Sequence, residues 1–187
     1  MKRVRYSVLL AVAAGTLACD STETIVPLTL DQATAVLAAM VVHYAGAEEG
    51  THVKSCPLGG AVRYTHTSDH RESGDTAWWS VDMELYPGGC EVEAGGETLA
   101  LTGDPSVDLH MERWYASESE EGEFDLTVTG AVTWRRDDNI SDRCEVDLDL
   151  EVALGAHTNE DDLGDLTGLL CGHDAEIPFP QIVIAGG

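Results

Sequence analysis

The sequence predicts an α+β domain, mainly antiparallel β. One N-terminal amphipathic helix precedes a meander of seven or eight strands, built as a curved sheet or a small barrel. Two observations predict this class. Residues 144–154 alternate without a break, Cys144, Val146, Leu148, Leu150, Val152 and Leu154 against Glu145, Asp147, Asp149, Glu151 and Ala153. Period-two alternation of that quality is a strand with one buried and one wet face. Further strand-like stretches follow one another through short turn-rich connections, which most simply make antiparallel neighbours.

The helix is expected over about 30–45. Thr29-Leu30-Asp31-Gln32 spells a capping box, in which the Thr29 side chain and Gln32 each satisfy an orphan amide. Ala33, Val36, Leu37, Met40, Val41 and Tyr44 then recur at helical spacing, and Gly46 supplies a stop. The next clear strand is 76–86, with Trp79, Val81, Met83 and Leu85 inward and Trp78, Ser80, Asp82, Glu84 and Tyr86 outward. Another is 123–135, with Phe124, Leu126, Val128, Gly130, Val132 and Trp134 on one side and a threonine-lined face on the other. Weaker strands are read at 60–67, 97–102, 107–115, 165–172 and 177–184. Turn signals lie at 68–75, 86–89, 103–106, 117–122, 136–142 and 157–164. Like charges directly opposite one another destabilise a sheet, so the four outward acids of 144–154 favour pairing with the threonine face of 123–135.

The cysteines fit the same order. Cys56 and Cys90 are symmetric about position 73, inside one predicted turn, and Cys144 and Cys171 about 157.5, inside another. Each pair therefore lies nearly opposite across a hairpin, and disulfides Cys56–Cys90 and Cys144–Cys171 are expected, at opposite ends of the sheet. Closing loops of this size stabilises by roughly 3–4 kcal/mol each on the chain-entropy model. Disulfides place the domain in an oxidising compartment.

Cys19 is the odd cysteine, and what precedes it gives it a role. Lys2, Arg3 and Arg5 open the chain, an apolar run from Val8 to Ala14 follows, and Gly15-Thr16-Leu17-Ala18 leads into Cys19. A basic start, a 7–15-residue apolar stretch and a small residue before the cut make a secretory signal. The cysteine after that small residue makes it resemble a bacterial lipoprotein signal, with Thr16 where Leu is commoner. The resemblance implies a signal peptide at 1–18, acylation of Cys19, a lipidated tether at 19–28, and a single β-rich domain at 29–187. Acyl chains contribute about 0.8 kcal/mol per buried CH₂, and more than one gives stable attachment. The expected location is the cell envelope, at the periplasmic side of the inner or outer membrane or at the cell surface.

Charge excludes two classes of partner. The 187 residues hold 34 acidic and 10 basic side chains, net −24. Three basic residues and no acids fall within 1–18, so the processed chain would carry seven basic residues against 34 acidic, net −27. That opposes nucleic-acid binding and electrostatic adsorption to anionic lipid. A solvated face, a salty habitat and divalent-cation sites all account for such acidity.

No catalytic signature stands out, and no cofactor is expected. There is no Gly-x-Ser-x-Gly elbow, and every cysteine has another role. His66 and His70 are four apart but fall where a strand enters a turn, so no zinc pair is expected. Asp137, Asp138, Asn139, Ser141 and Asp142 begin like a calcium loop, yet the sixth position is Asp142 rather than Gly and the twelfth is Leu148 rather than Glu. A looser candidate calcium site is formed by Glu160, Asp161, Asp162 and Asp165, with Glu118, Glu120 and Glu121 from the loop at the same end. Trp78 with Tyr86 forms a candidate aromatic patch for a carbohydrate or protein partner.

Cys56-Pro57-Leu58-Gly59-Gly60, Cys90 in a turn, Leu101-Thr102-Gly103, Gly130 with Trp134, Cys144 at a strand start and Cys171-Gly172 together resemble small uncharacterised lipoproteins of Gram-negative bacteria. The resemblance covers roughly 55–175 and implies β structure and export, without a known activity. The expectation is thus a membrane-anchored envelope protein with a non-enzymatic structural or partner-binding role. The alternatives are a carrier of a lipid or other hydrophobic ligand in the curved sheet and, third, an envelope hydrolase.

Overall fold

The chain is described here by a computed structural model that covers residues 26–41, 49–137, 140–155 and 164–179. Its helix α1 (Leu30–Val41) starts where the capping box places it. The Gln32 amide donates to Thr29 Oγ1 at 3.3 Å, and Gln32 Oε1 accepts from the Thr29 amide at 3.0 Å. Ala33, Val36, Leu37, Met40 and Val41 form its buried stripe. The expected extension through Tyr44 lies outside the described residues, as do Cys19 and the signal segment.

Eight strands follow: β1 (Gly50–Ser55), β2 (Gly59–Ser73), β3 (Thr76–Ala94), β4 (Glu97–Ala116), β5 (Glu121–Arg136), β6 (Ser141–Leu154), β7 (Asp165–Leu170) and β8 (His173–Pro178). All pair antiparallel in sequence order, so the domain is α+β with one curved eight-stranded meander. Among the described residues the sheet is open, with β1 and β8 as its edges. Helix α1 packs mainly on β3 and reaches β7 and β8, filling the concave side. One rung of that side reads His66, Met83, Leu109, Val128, Leu148, Gly168 and Ala175 across β2 to β8.

Two predicted turns are bends within strands. Residues 86–89 lie inside β3 and 103–106 inside β4, so the expected strands 97–102 and 107–115 are one. The pairing slips at both places, between Leu85 and Cys90 and between Gly103 and Val107. Such bulges place extra residues on one strand and increase local bending and twist. They also account for Pro87 within a strand interior. Merging two strands into β4 reverses the direction count of the meander. Both disulfides, Cys56–Cys90 and Cys144–Cys171, with Cα separations of 5.5 and 4.2 Å, therefore lie toward the same end of the sheet rather than at opposite ends.

That end also receives the helix. Gly95 and Gly96, both at positive φ, make the two-residue β3–β4 turn. Gln32 Nε2 donates to Ala94 O at 3.4 Å and to Glu97 Oε2 at 3.0 Å. Arg136, 11% exposed, lies with Nε 3.0 Å from the same Glu97 oxygen and its guanidinium 4.9 Å over the Trp134 ring. Arg136 Nη1 donates to Val26 O, and His173 Nε2 lies 2.7 Å from Leu28 O. The segment before the helix is thus held at the stapled end.

Two further boundaries differ from expectation. Strand β1 carries no inward apolar face, and its Val53 is 70% exposed, so it is held by backbone pairing with β2. The last described strand is His173–Pro178, which begins earlier than expected because Cys171 (φ 50°) and Gly172 (φ 84°) turn the chain at once; most of the expected strand 177–184 lies outside the described residues. Among the described residues, no helix is long and apolar enough to cross a membrane.

Candidate functional site

At the end of the sheet away from the disulfides, β2 to β5 outrun the helix. Two outward-facing rungs sit side by side there. One reads Arg71, Trp78, Trp114 and Glu123 across β2 to β5. The next reads Asp69, Ser80, Glu112, Asp125 and, on β6, Glu151. Ser80 is the short member, flanked across the strands by Asp69 and Glu112 and along β3 by Trp78. A cleft of about 610 Å³ lies over Ser80, bordered by the members of both rungs on β2 to β5 and by Glu72, Trp79 and Arg113.

The tryptophans differ in setting. Trp78 is 41% exposed and stands directly opposite the half-buried Trp114. Trp114 Nε1 donates to Glu123 Oε2 at 3.0 Å, which fixes that indole by its edge. Trp79 points to the other face, as its alternation requires, but it is 38% exposed rather than core because it lies beyond the helix. The His70 ring stacks on Trp79 with centroids 5.0 Å apart, and the Arg113 guanidinium lies 5.8 Å from its centroid. Tyr86 belongs to no patch with Trp78: eight residues of strand separate them by roughly 26 Å. Tyr86 instead donates to Glu84 at 3.0 Å beneath the Arg63 guanidinium.

The electrostatics are acidic. Asp69, Glu72, Glu112, Glu123 and Asp125 border the cleft, against Arg71 and Arg113. Arg71 Nε is spent on Asp69 at 2.8 Å. Asp125 lies directly between Glu112 and Glu151 on neighbouring strands. Burial, then the nearby Glu123 and Glu112, raises its pKa above the ordinary carboxylate range. Carboxylate oxygens of Glu123, Asp125 and Glu151 fall within 4.8 Å of one another. Three such oxygens are fewer than the six to eight that calcium takes. Next along β4, His110 Nδ1 lies 2.7 Å from Asp82, and this hydrogen bond raises the His110 pKa.

The predicted calcium residues are only partly within view. Glu160, Asp161 and Asp162 lie outside the described residues. Asp165 opens β7, half-buried, and borders a shallow depression with Asp149 and Glu151. Glu118 and Glu120 sit in the exposed β4–β5 turn and Glu121 opens β5. His66 and His70 share a face but are separated by roughly 13 Å of strand, so they form no pair. His66 is 9% exposed on the concave side.

Sequence reasoning missed Trp114, Glu123 and Asp125 as a group. In β4 the charged Arg113 faces inward and Trp114 outward, which blurs the alternation that would have exposed the arrangement. No protein-family model matches this chain, nor does any curated protein or any solved structure.

Proposed function

We propose that this chain is an exported, lipid-anchored envelope protein that acts without catalysis, as a binding module. The Cys19 signal supports the anchor and the two disulfides support export. The observation that carries the binding role is the Trp78–Trp114 pair lining the cleft over Ser80, on the broad wet face of a stapled sheet. Exposed aromatic side chains in a cleft of this size, with a few polar groups around them, are the usual composition of a ligand site. The carrier reading has less support, because Met83, Trp134, Leu148 and Leu150 occupy the concave side themselves.

Oxidative footprinting of tryptophan in intact envelopes, compared with the purified chain, tests the reading. Trp78 and Trp114, and Trp79 at the border of the cleft, should be labelled less in the envelope than in the purified chain. Equal labelling of all three in both settings would refute a bound partner at the cleft. Mass spectrometry of the membrane-extracted protein tests the anchor: an N-terminal acylated cysteine is expected, and a processed but lipid-free Cys19 would reject it.

A further inference from the structure

Resting on that reading of the cleft as a binding surface, we infer that its ligand is an organic cation, a small molecule bearing an alkylammonium group. Two independent features of the cleft converge on this chemistry. The first is aromatic: Trp78 and Trp114 stand directly opposite one another on neighbouring strands, one of them held by Glu123. An indole attracts a cation through its ring quadrupole, more strongly than Tyr or Phe does, and more so as the pair is desolvated.

The second is the sign of the surroundings. Five carboxylates border the space against two guanidinium groups, one paired with Asp69 and the other placed over Trp79. Glu112, Asp125 and Glu151 stand in one row across β4, β5 and β6, at strand spacings of about 4.8 Å. A positive ligand relieves the mutual repulsion of that row, whereas a phosphate or a uronic acid would add to it. A neutral saccharide would use the indoles and leave the charge uncompensated.

The size of the space separates an organic cation from a bare metal ion. About 610 Å³ matches a ligand of several heavy atoms. A calcium ion would draw on Glu123, Asp125 and Glu151 alone and would not require Trp78. The ammonium head would sit at the carboxylate row, with its methyl or methylene groups against the indoles.

Tryptophan fluorescence and calorimetric titration of the full-length chain in nonionic detergent test this. The probes are choline, 1,5-diaminopentane, calcium chloride and the neutral sugar cellotetraose. At least one of the two amines should saturate, more weakly as sodium chloride rises. Trp78→Ala and Asp125→Asn should each weaken that binding by about tenfold. Trp78 is exposed and Asp125 half-buried on the outward face, and circular dichroism would verify that each variant stays folded. Saturation by neither amine would overturn the inference, as would amine binding indifferent to Trp78→Ala. Saturation by calcium alone would assign the acids to a metal and overturn it too. Trp78-dependent binding of cellotetraose without amine binding would overturn the cationic ligand yet leave the cleft as the binding surface. Footprint protection in the envelope without amine binding would separate the two in the same way.

Discussion

Asp125 on β5 stands directly opposite Glu151 on β6, with Glu112 opposite it on the other side, so one carboxylate is flanked by two. Neighbouring rungs avoid this arrangement, because Thr127 faces Asp149 and Thr129 faces Asp147. Of the four outward acids of β6, two face threonines as expected, Glu145 faces Ala131, and Glu151 faces an acid. Like charges directly opposite weaken a sheet by a few tenths to about 1 kcal/mol. Asp125→Asn should therefore stabilise the fold by about 0.2–1 kcal/mol near neutral pH. The folded pKa of Asp125 is raised, so the cost is absent below the unfolded value of about 4 and grows as pH climbs through the raised one. Urea unfolding of the two proteins should show a gap at pH 7 that closes on acidification. A less stable variant at pH 7 would contradict the assignment.

His110 gives the opposite partner relation with the same sign. Its hydrogen bond to Asp82 raises the folded pKa above the unfolded value of about 6.5. Its contribution is fully present below that value and is lost as pH rises through the folded pKa. Asp82→Asn should shrink this step in a plot of stability against pH from about 5 to 9, since the largest cause of the raised pKa is gone and only Glu112 remains to raise it. An unchanged step would show that another group titrates.

Gly130 marks the bend of the sheet. Its φ is +129°, and a β-carbon there would stand 2.2 Å from the Ser106 carbonyl oxygen, next to the bulge in β4. Gly130→Ala should destabilise by at least about 1–3 kcal/mol from the backbone strain alone. Chemical denaturation measures it, and a change within about 0.5 kcal/mol would mean the two strands can separate there freely.

The Cys56–Cys90 bond ties the β1–β2 connection to β3 across 34 residues of chain. Replacing both cysteines by serine should lower stability by roughly 3–4 kcal/mol. Peptide mapping without reduction should first show Cys56 joined to Cys90 and Cys144 to Cys171. A Cys56 peptide joined to Cys144 or Cys171 would contradict the strand order itself.

How much of this was legible in the sequence depended on which force shaped each element. Strands β3, β5 and β6 each bury one face and leave alternation in the sequence, and the Thr29–Gln32 box placed the helix start. Strand β1 was not legible because backbone pairing holds it and no buried side chains record it. The bulges at 86–89 and 103–106 read as turns, since Pro and Gly serve a kinked strand as well as a reversal. That single ambiguity moved one disulfide to the wrong end. The cleft was half legible: Trp78 stood out as an outward indole, but its neighbour Trp114 comes from register across strands. No local pattern announces that juxtaposition, or the row Glu112, Asp125 and Glu151.

On our proposal, this protein binds on its outer face while its own side chains fill the concave side. Native mass spectrometry of the Cys19→Ala chain, purified from its own envelope and then extracted for lipids, tests it most directly. Met83, Trp134, Leu148 and Leu150 are at most 6% exposed, so a mass without bound lipid is expected. A stoichiometric lipid that disappears in a folded Leu148→Asp variant would contradict it and make the concave side the binding site.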